Sequence, residues 1–253
     1  MRFRKGAERR RNRTTILAHL ATIFKLCYNY VMEKIPDRFN LSREDNVFVA
    51  KKYLKDSVYR SAFLEGIAVT FPQTEAILDA AEVSGVSARD ISKVCGIRDG
   101  WRYILDNLDA TVDLQMLEEV HTVIAREDVP WDRLGKLRTE GVRISGTNYL
   151  PELPNPENVH QDIINIMKSE TSDTDKAVSL MLYIMRTQPF LDGNKRVGTL
   201  ICNKVLVSTG HGIFSLPPEL KQEFSEKLIR FYEYDDSAEL KKLVFENCLT
   251  GLE

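Results

Sequence analysis

The sequence predicts an all-α fold, a helical bundle with a small β-hairpin flap. Apolar residues recur at spacings of three and four along nearly the whole chain, the period of helices buried on one face. Ser42 with Asp45, and Ser87 with Asp90, form capping-box starts. Only Leu137 to Pro156 breaks the pattern, with three prolines, two glycines and short β-prone pieces.

The elements follow in order. Arg2, Arg4, Lys5, Arg9, Arg10, Arg11 and Arg13, opposed only by Glu8, form a basic tail that reads as solvated chain. From Thr14 to Met32 the polar residues Thr15, His19, Thr22, Lys25 and Asn29 fall on one stripe, continued by Glu33. That periodicity predicts an amphipathic core helix, not a signal peptide, and no small-residue cleavage site follows. Residues 1–44 are therefore taken as tail and first helix. A helix from Ser42 toward Tyr59 comes next, and 57–70 continues in helical period with Tyr59, Phe63 and Ile67 on one face. Pro72 punctuates the chain before a helix over 73–83. Ser87 opens a short helix through Val94, which Gly96 closes. Further helices are expected near 99–108, 113–127, 157–168, 174–187, 195–209, 217–231 and 236–248. Within 137–156, Val142-Arg143-Ile144 and Asn148-Tyr149-Leu150 flank Gly146 as a hairpin would. A hairpin this short suits a surface flap over a ligand.

Composition narrows the function classes. Hydrophobic content of 43% and charged content of 28% are those of a globular protein. A net charge of −2 gives no general attraction to nucleic acid or anionic membrane. No stretch approaches the ~20 apolar residues of a membrane span. Cys27, Cys95, Cys202 and Cys248 are scattered among apolar neighbours, which predicts reduced, buried thiols and a cytoplasmic location.

The chemically informative segment is Gln188-Pro-Phe-Leu-Asp192-Gly193-Asn194-Lys195-Arg196, held between two apolar helix faces. Gly193 permits a close backbone approach. Amides at the following helix start form a positive concavity for phosphate. Lys195 and Arg196 add cationic donors, and Asp192 offers a hard oxygen ligand for magnesium. A capped helix start with surface charges would explain the same residues.

This segment resembles the Fic/Doc (Fido) signature, His-x-Phe-x-Asp/Glu-Gly-Asn-Gly/Lys-Arg. The resemblance implies a Fic fold over 45–232 and leaves both ends unaccounted for; 233–253 is taken as a C-terminal helix from its periodicity. It implies ATP or another nucleoside triphosphate bound through Gly193, Asn194, Lys195 and Arg196, with Mg2+ on Asp192. The stretch 137–156 resembles the family's target-binding flap, centred on Val142, Arg143 and Ile144, and Ser61-x-x-x-Glu65-Gly66 resembles its inhibitory-helix motif. His121 matches a helix-buried histidine and is read as structural.

Two departures matter. Gln188 stands in the general-base position, and a carboxamide has no usable pKa near neutrality. Thr199 stands where many adenylylating members have a second arginine, leaving Glu65 without its usual partner unless Lys195 substitutes. Three readings follow. One is a nucleotide-binding protein with impaired AMPylation, of regulatory or antitoxin-like kind. Another is an active AMP-, UMP- or phosphoryl-transferase acting on a protein hydroxyl. The third is a DNA-associated regulator using a helix-turn-helix-like segment at 76–96. Expected partners are the nucleotide and a protein target at the flap, with a homodimer left open.

Overall fold

The computed structural model describes residues 34–252. The basic tail, the expected helix over 14–32 and Cys27 lie outside that range. Ten α-helices are described: α1 (Arg43–Lys52), α2 (Leu54–Glu65), α3 (Phe71–Leu78), α4 (Ala88–Asp106), α5 (Leu114–Ile124), α6 (Pro156–Met167), α7 (Asp173–Thr187), α8 (Asn194–Thr209), α9 (Lys221–Tyr234) and α10 (Ala238–Asn247). No helix among the described residues is long and apolar enough to cross a membrane.

Helix α8 is the axis of the fold. Its run Val-Gly-Thr-Leu-Ile-Cys-Asn-Lys-Val-Leu-Val is buried on every side, as a helix surrounded by others must be. It forms a tight pair with α7 and also touches α1, α2, α4 and α5. Gly198 explains the closeness: a Cβ there would come within 3.0 Å of the Met181 carbonyl oxygen on α7. Two buried asparagines tie the end of α8 to the following chain. Asn203 Nδ2 donates to Phe214 O and its Oδ1 accepts from Phe214 N, while Asn46 makes the same exchange with Gly212.

Several expected boundaries move for identifiable reasons. The helix expected over 42–59 breaks at Tyr53, so α1 and α2 are separate. The helix expected over 57–70 stops at Glu65, where Gly66 takes the left-handed conformation (φ 77°). Pro72 lies inside the first turn of α3, where its missing N–H does no harm, behind a Thr70–Gln73 capping box. Gly96 does not end a helix. It lies inside the 19-residue α4, where a Cβ would meet Ile124 O at 3.3 Å, so the glycine serves close packing against α5.

That long α4 also corrects the helix-turn-helix reading of 76–96. Nine residues, 79–87, separate α3 from α4, well beyond the 3–4-residue turn of that motif. Val94, Ile97, Trp101 and Ile104 bury α4 in the core, and it touches α2, α3, α5 and α8.

The small sheet forms elsewhere than the hairpin expectation placed it. Ile213–Phe214 (β1) pairs antiparallel with Leu249–Thr250 (β2), joining the chain after α8 to the chain after α10. Residues 137–156 are extended legs with a turn at Ser145–Gly146 and no strand ladder. Side chains hold these legs in place. Cys95, Cys202 and Cys248 are free thiols.

Candidate functional site

Between α7 and α8 the chain must reverse in six residues, and each takes a defined part. Helix α7 ends at Thr187, and Gln188 caps it in the left-handed region (φ 49°), its N–H on Ile184 O at 3.1 Å. Phe190 is fully buried beneath the loop and stacks on the His121 ring, centroids 4.1 Å apart and planes 6° apart. Gly193 (φ 78°) turns the chain into α8. Asn194 staples the loop: its Oδ1 accepts from Phe190 N at 2.9 Å, and its Nδ2 donates to Phe190 O at 2.8 Å.

The same Nδ2 donates to Gln188 Oε1 at 2.9 Å, while Gln188 Nε2 donates to Met185 O at 2.5 Å. Both ends of the Gln188 carboxamide are therefore engaged within the loop. His121 supports the frame from α5. Its Nδ1 accepts from Gly135 N at 2.9 Å, which places the proton on Nε2, facing Asp192 O at 3.2 Å. Burial pushes the His121 pKa down to about 4, so the ring is neutral and structural, as its position in the sequence implied.

Charge gathers on one side of this loop. Arg196 is buried: Nη2 lies 2.6 Å from Asp128 Oδ2 and Nη1 donates to Ile124 O at 3.1 Å. Burial raises the Asp128 carboxyl, but Arg196 and Lys93 outweigh it and hold the group below its usual range. Arg196 Nε is left without a hydrogen-bond partner, 3.8 Å from Glu65 Oε2. Glu65 Oε1 is likewise buried and unpartnered, with Lys195 Nζ at 3.9 Å. These separations exceed hydrogen-bond contact, so the two buried groups face one another with neither satisfied. Thr199 does not fill the gap, because its hydroxyl donates to Arg196 O. Lys221 adds a third cation nearby. It donates to Phe63 O at the end of α2, and burial together with the Lys195 charge lowers its pKa.

A cleft of about 240 Å³ opens beside these groups, lined by Glu65 and Leu64 from α2, Ile144 and Ser145 from the flap, Gln188, Asp192, Asn194 and Lys195 from the loop, and Leu228, Ile229 and Tyr232 from α9. The Tyr232 hydroxyl is held protonated by burial and by the Glu65 charge. One wall is apolar and the other charged, carrying the carboxylates of Glu65 and Asp192 beside the ammonium of Lys195.

The expected site residues divide accordingly. Gln188, Asp192, Asn194, Lys195, Glu65 and Ile144 meet at the cleft. Gly193 and Arg196 lie buried behind its wall, and Gly66 caps α2. Ser61 lines a separate pocket of about 20 Å³ with Ser57, Thr199 and Ser215. Arg143 is exposed and lines, with Ile144, Thr147 and Leu150, a second space formed by the flap itself, and Val142 lines neither space. Among the described residues no group of three or more His, Cys, Asp or Glu is arranged to hold a metal ion. Sequence reasoning missed Asp128, Lys93, Lys221 and Arg138. None lies in a motif, and their partners are distant in the chain.

The flap is fastened at its base and along its return leg. Arg138 bonds carbonyls of both legs and of the loop. Tyr149 stacks on Tyr232 at 6.3 Å and 16°, and Arg186 lies over Tyr149 at 4.5 Å.

Residues 111–206 match the model of the Fic/DOC family. Protein adenylyltransferase fic-1 of Caenorhabditis elegans is 26% identical over 183 residues, 68% of this chain and 35% of that protein. Protein adenylyltransferase Fic of Drosophila melanogaster is 26% identical over 177 residues, 66% of this chain and 35% of the relative. The chain thus spans about a third of the length of the curated relatives it matches. Among solved structures, residues 134–508 of Fic-1 from C. elegans superpose with a TM-score of 0.68 at 22% identity, covering 93% of this chain and 72% of that one. A Fic domain-containing signaling protein from Bacteroides thetaiotaomicron gives 0.60 at 23% identity, covering 74% and 75%. The helical fold is that of Fic proteins.

Proposed function

From a chain whose residues 111–206 match the Fic/DOC family, we propose a nucleotide-binding protein of Fic type with impaired AMP transfer. The observation that carries this reading is the engagement of the Gln188 carboxamide, in a cleft that also presents Lys195, Asp192 and Glu65. Nε2 is held by Met185 O and Oε1 by Asn194 Nδ2, so the side chain neither accepts a proton nor turns freely toward an incoming hydroxyl. Loss of a general base lowers rate by ~10²–10⁴. Positioning and charge still act on a phosphoryl group, so binding outlasts turnover.

The binding half rests on unsatisfied polar atoms. Arg196 Nε and Glu65 Oε1 are buried without hydrogen-bond partners, and a phosphate displacing Glu65 would satisfy the arginine. Lys195 and the start of α8 would hold further phosphate oxygens. Asp192 is exposed at the cleft and fits Mg2+, which binds through one or two carboxylates plus substrate phosphates. Bound there, Mg2+ would neutralise phosphate charge. The apolar wall of Ile144, Leu228, Ile229 and Tyr232 suits the base of ATP or another nucleoside triphosphate, and Glu65 would oppose its phosphates. Asn194, fully engaged in the loop, would act by shaping it. The flap would present a protein target along its outer edge at Arg143 and Ile144. The homodimer left open by the sequence gains no support from the comparisons.

A second reading, an active transferase modifying a protein hydroxyl, draws on the relatives' description as protein adenylyltransferases. Labelled ATP separates the two. The unmodified chain, Gln188→His and Glu65→Gly are incubated with it, and self-labelling is measured beside calorimetric binding of Mg-ATP. Binding without labelling, and labelling only when Gln188→His is present, is the expected result. Labelling by the unmodified chain would overturn the impaired reading, and absence of binding in all three would overturn the nucleotide site.

A further inference from the structure

We propose that Arg138 is a positioning residue that joins the flap and the Gln188 loop into one rigid unit. Arg138 is buried, 3% exposed, and its guanidinium forms no ion pair among the described residues. A buried cation without a carboxylate is tolerated only when its donors are filled. Here every partner is a backbone carbonyl. Nε donates to Gln188 O at 2.6 Å, Nη1 to Glu140 O at 2.9 Å, and Nη2 to Glu152 O at 2.5 Å, with Pro151 O and Thr187 O each at 3.3 Å. The Arg138 amide completes the set on Pro189 O at 3.0 Å.

These carbonyls belong to three stretches of chain. Glu140 lies on the outgoing leg of the flap, Pro151 and Glu152 on the returning leg, and Thr187 and Gln188 at the end of α7. The last pair are the carbonyls a helix leaves unpaired, at the negative end of its dipole, where a cation is favoured. Gln188 also holds a left-handed backbone (φ 49°), which disfavours a side chain that is not glycine. The Nε bond to its carbonyl helps fix that conformation. Lifting either leg of the flap would therefore strip donors from a buried guanidinium and release the backbone of residue 188 in the same motion. The functional weight of this link rests on the nucleotide-site reading above; the mechanical link does not.

Hydrogen exchange followed by mass spectrometry on the full chain tests it, using the unmodified protein, Arg138→Ala, Arg138→Lys and the exposed flap variant Arg143→Ala. Arg138→Ala should speed exchange at least tenfold at the bonded flap amides of residues 138 and 149 and in 187–193 together, leaving α8 within twofold. Arg138→Lys keeps the charge but loses the planar fork, and should show a smaller rise in both segments; it serves alone if the alanine variant does not fold. Arg143→Ala should change neither. With Mg-ATP, protection in the unmodified chain should spread from the loop to the flap legs, 138–141 and 150–153, which lie off the cleft. In Arg138→Lys it should stop at the loop. A loosened flap beside an unchanged 187–193, or no change in either, overturns the proposal. If Mg-ATP protects nothing in the unmodified chain, the nucleotide reading fails while the exchange comparison still decides the link.

Discussion

His121 should make this protein lose stability as pH falls from 6.5 toward 4, a loss that begins above the range of ordinary carboxylates. Its folded-state pKa is depressed from 6.5 to about 4, chiefly by burial. The unfolded chain therefore binds a proton that the native state refuses. The neutral ring's contribution is complete above pH 6.5 and is lost as pH falls toward 4. At ~1.36 kcal/mol per pH unit, the displacement is worth roughly 3 kcal/mol, a large share of a typical domain's margin. The geometry gives the same sign, because Nδ1 accepts from Gly135 N and cannot also carry a proton. Urea unfolding at pH 8, 6.5, 5 and 4 measures it, with His121→Gln as the non-titrating control. The variant starts lower at pH 8, since it loses the stack on Phe190, but its stability should stay nearly level down to pH 5. Asp128 contributes in a separate window. Its carboxyl is held below 3.8, so its stabilisation is lost only as pH falls past that value. Parallel losses in the unmodified chain and His121→Gln between pH 6.5 and 5 would refute the assignment.

Two substitutions probe the frame from other sides. Asp128→Ala leaves Arg196 and Lys93 without their shared buried partner; breaking a buried pair this way removes ~3–5 kcal/mol, measurable as a shift in urea midpoint, and Mg-ATP affinity should fall with it. Phe190→Ala empties a fully buried ring site beneath the loop and should lower stability by ~3–5 kcal/mol, whereas Phe190→Leu should lose much less; equal losses would mean that ring stacking, not volume, sets the value.

Much of the fold was legible because local rules and burial agree. Ser42, Ser87 and Thr70 each cap a helix through the N–H three residues on, although Pro72 in the first turn masks the Thr70 start. Gly96 misled because its role is close approach to Ile124, a contact made 28 residues along the chain. The flap misled in another way. Val142 to Leu150 has strand-forming residues, but a ladder needs paired backbone groups, and here side chains do the fastening through Arg138, Tyr149 and Arg186. At the site, contiguous residues were readable and distant ones were not. Asp192 to Arg196 stand together in sequence. Asp128 meets Arg196 only through the fold, and Arg138 bonds carbonyls, whose positions no side-chain pattern encodes.

The loop also dictates what residue 188 must offer its neighbour. Asn194 cannot flip: Phe190 N is a donor and must face Oδ1, leaving Nδ2 to donate to Phe190 O and to residue 188. Position 188 therefore meets an N–H and must present an acceptor. A glutamine oxygen does so at any pH. An imidazole does so only when neutral, so Gln188→His should fold with a melting temperature close to that of the unmodified chain. Its new ring should titrate below the unperturbed ~6.5, because protonation would set two donors against each other. Proton NMR of the variant, with His19, His121, His160 and His211 assigned by further substitution, reads that value directly. A new imidazole titrating above 7 would mean that Asn194 turns to accept from it. The Phe190 staple would then have to open, and the view of a loop whose polarity is fixed independently of residue 188 would be wrong. A depressed value would instead mean that the frame holds an unprotonated ring ready to take a proton, and that Gln188 occupies this frame without supplying the chemistry.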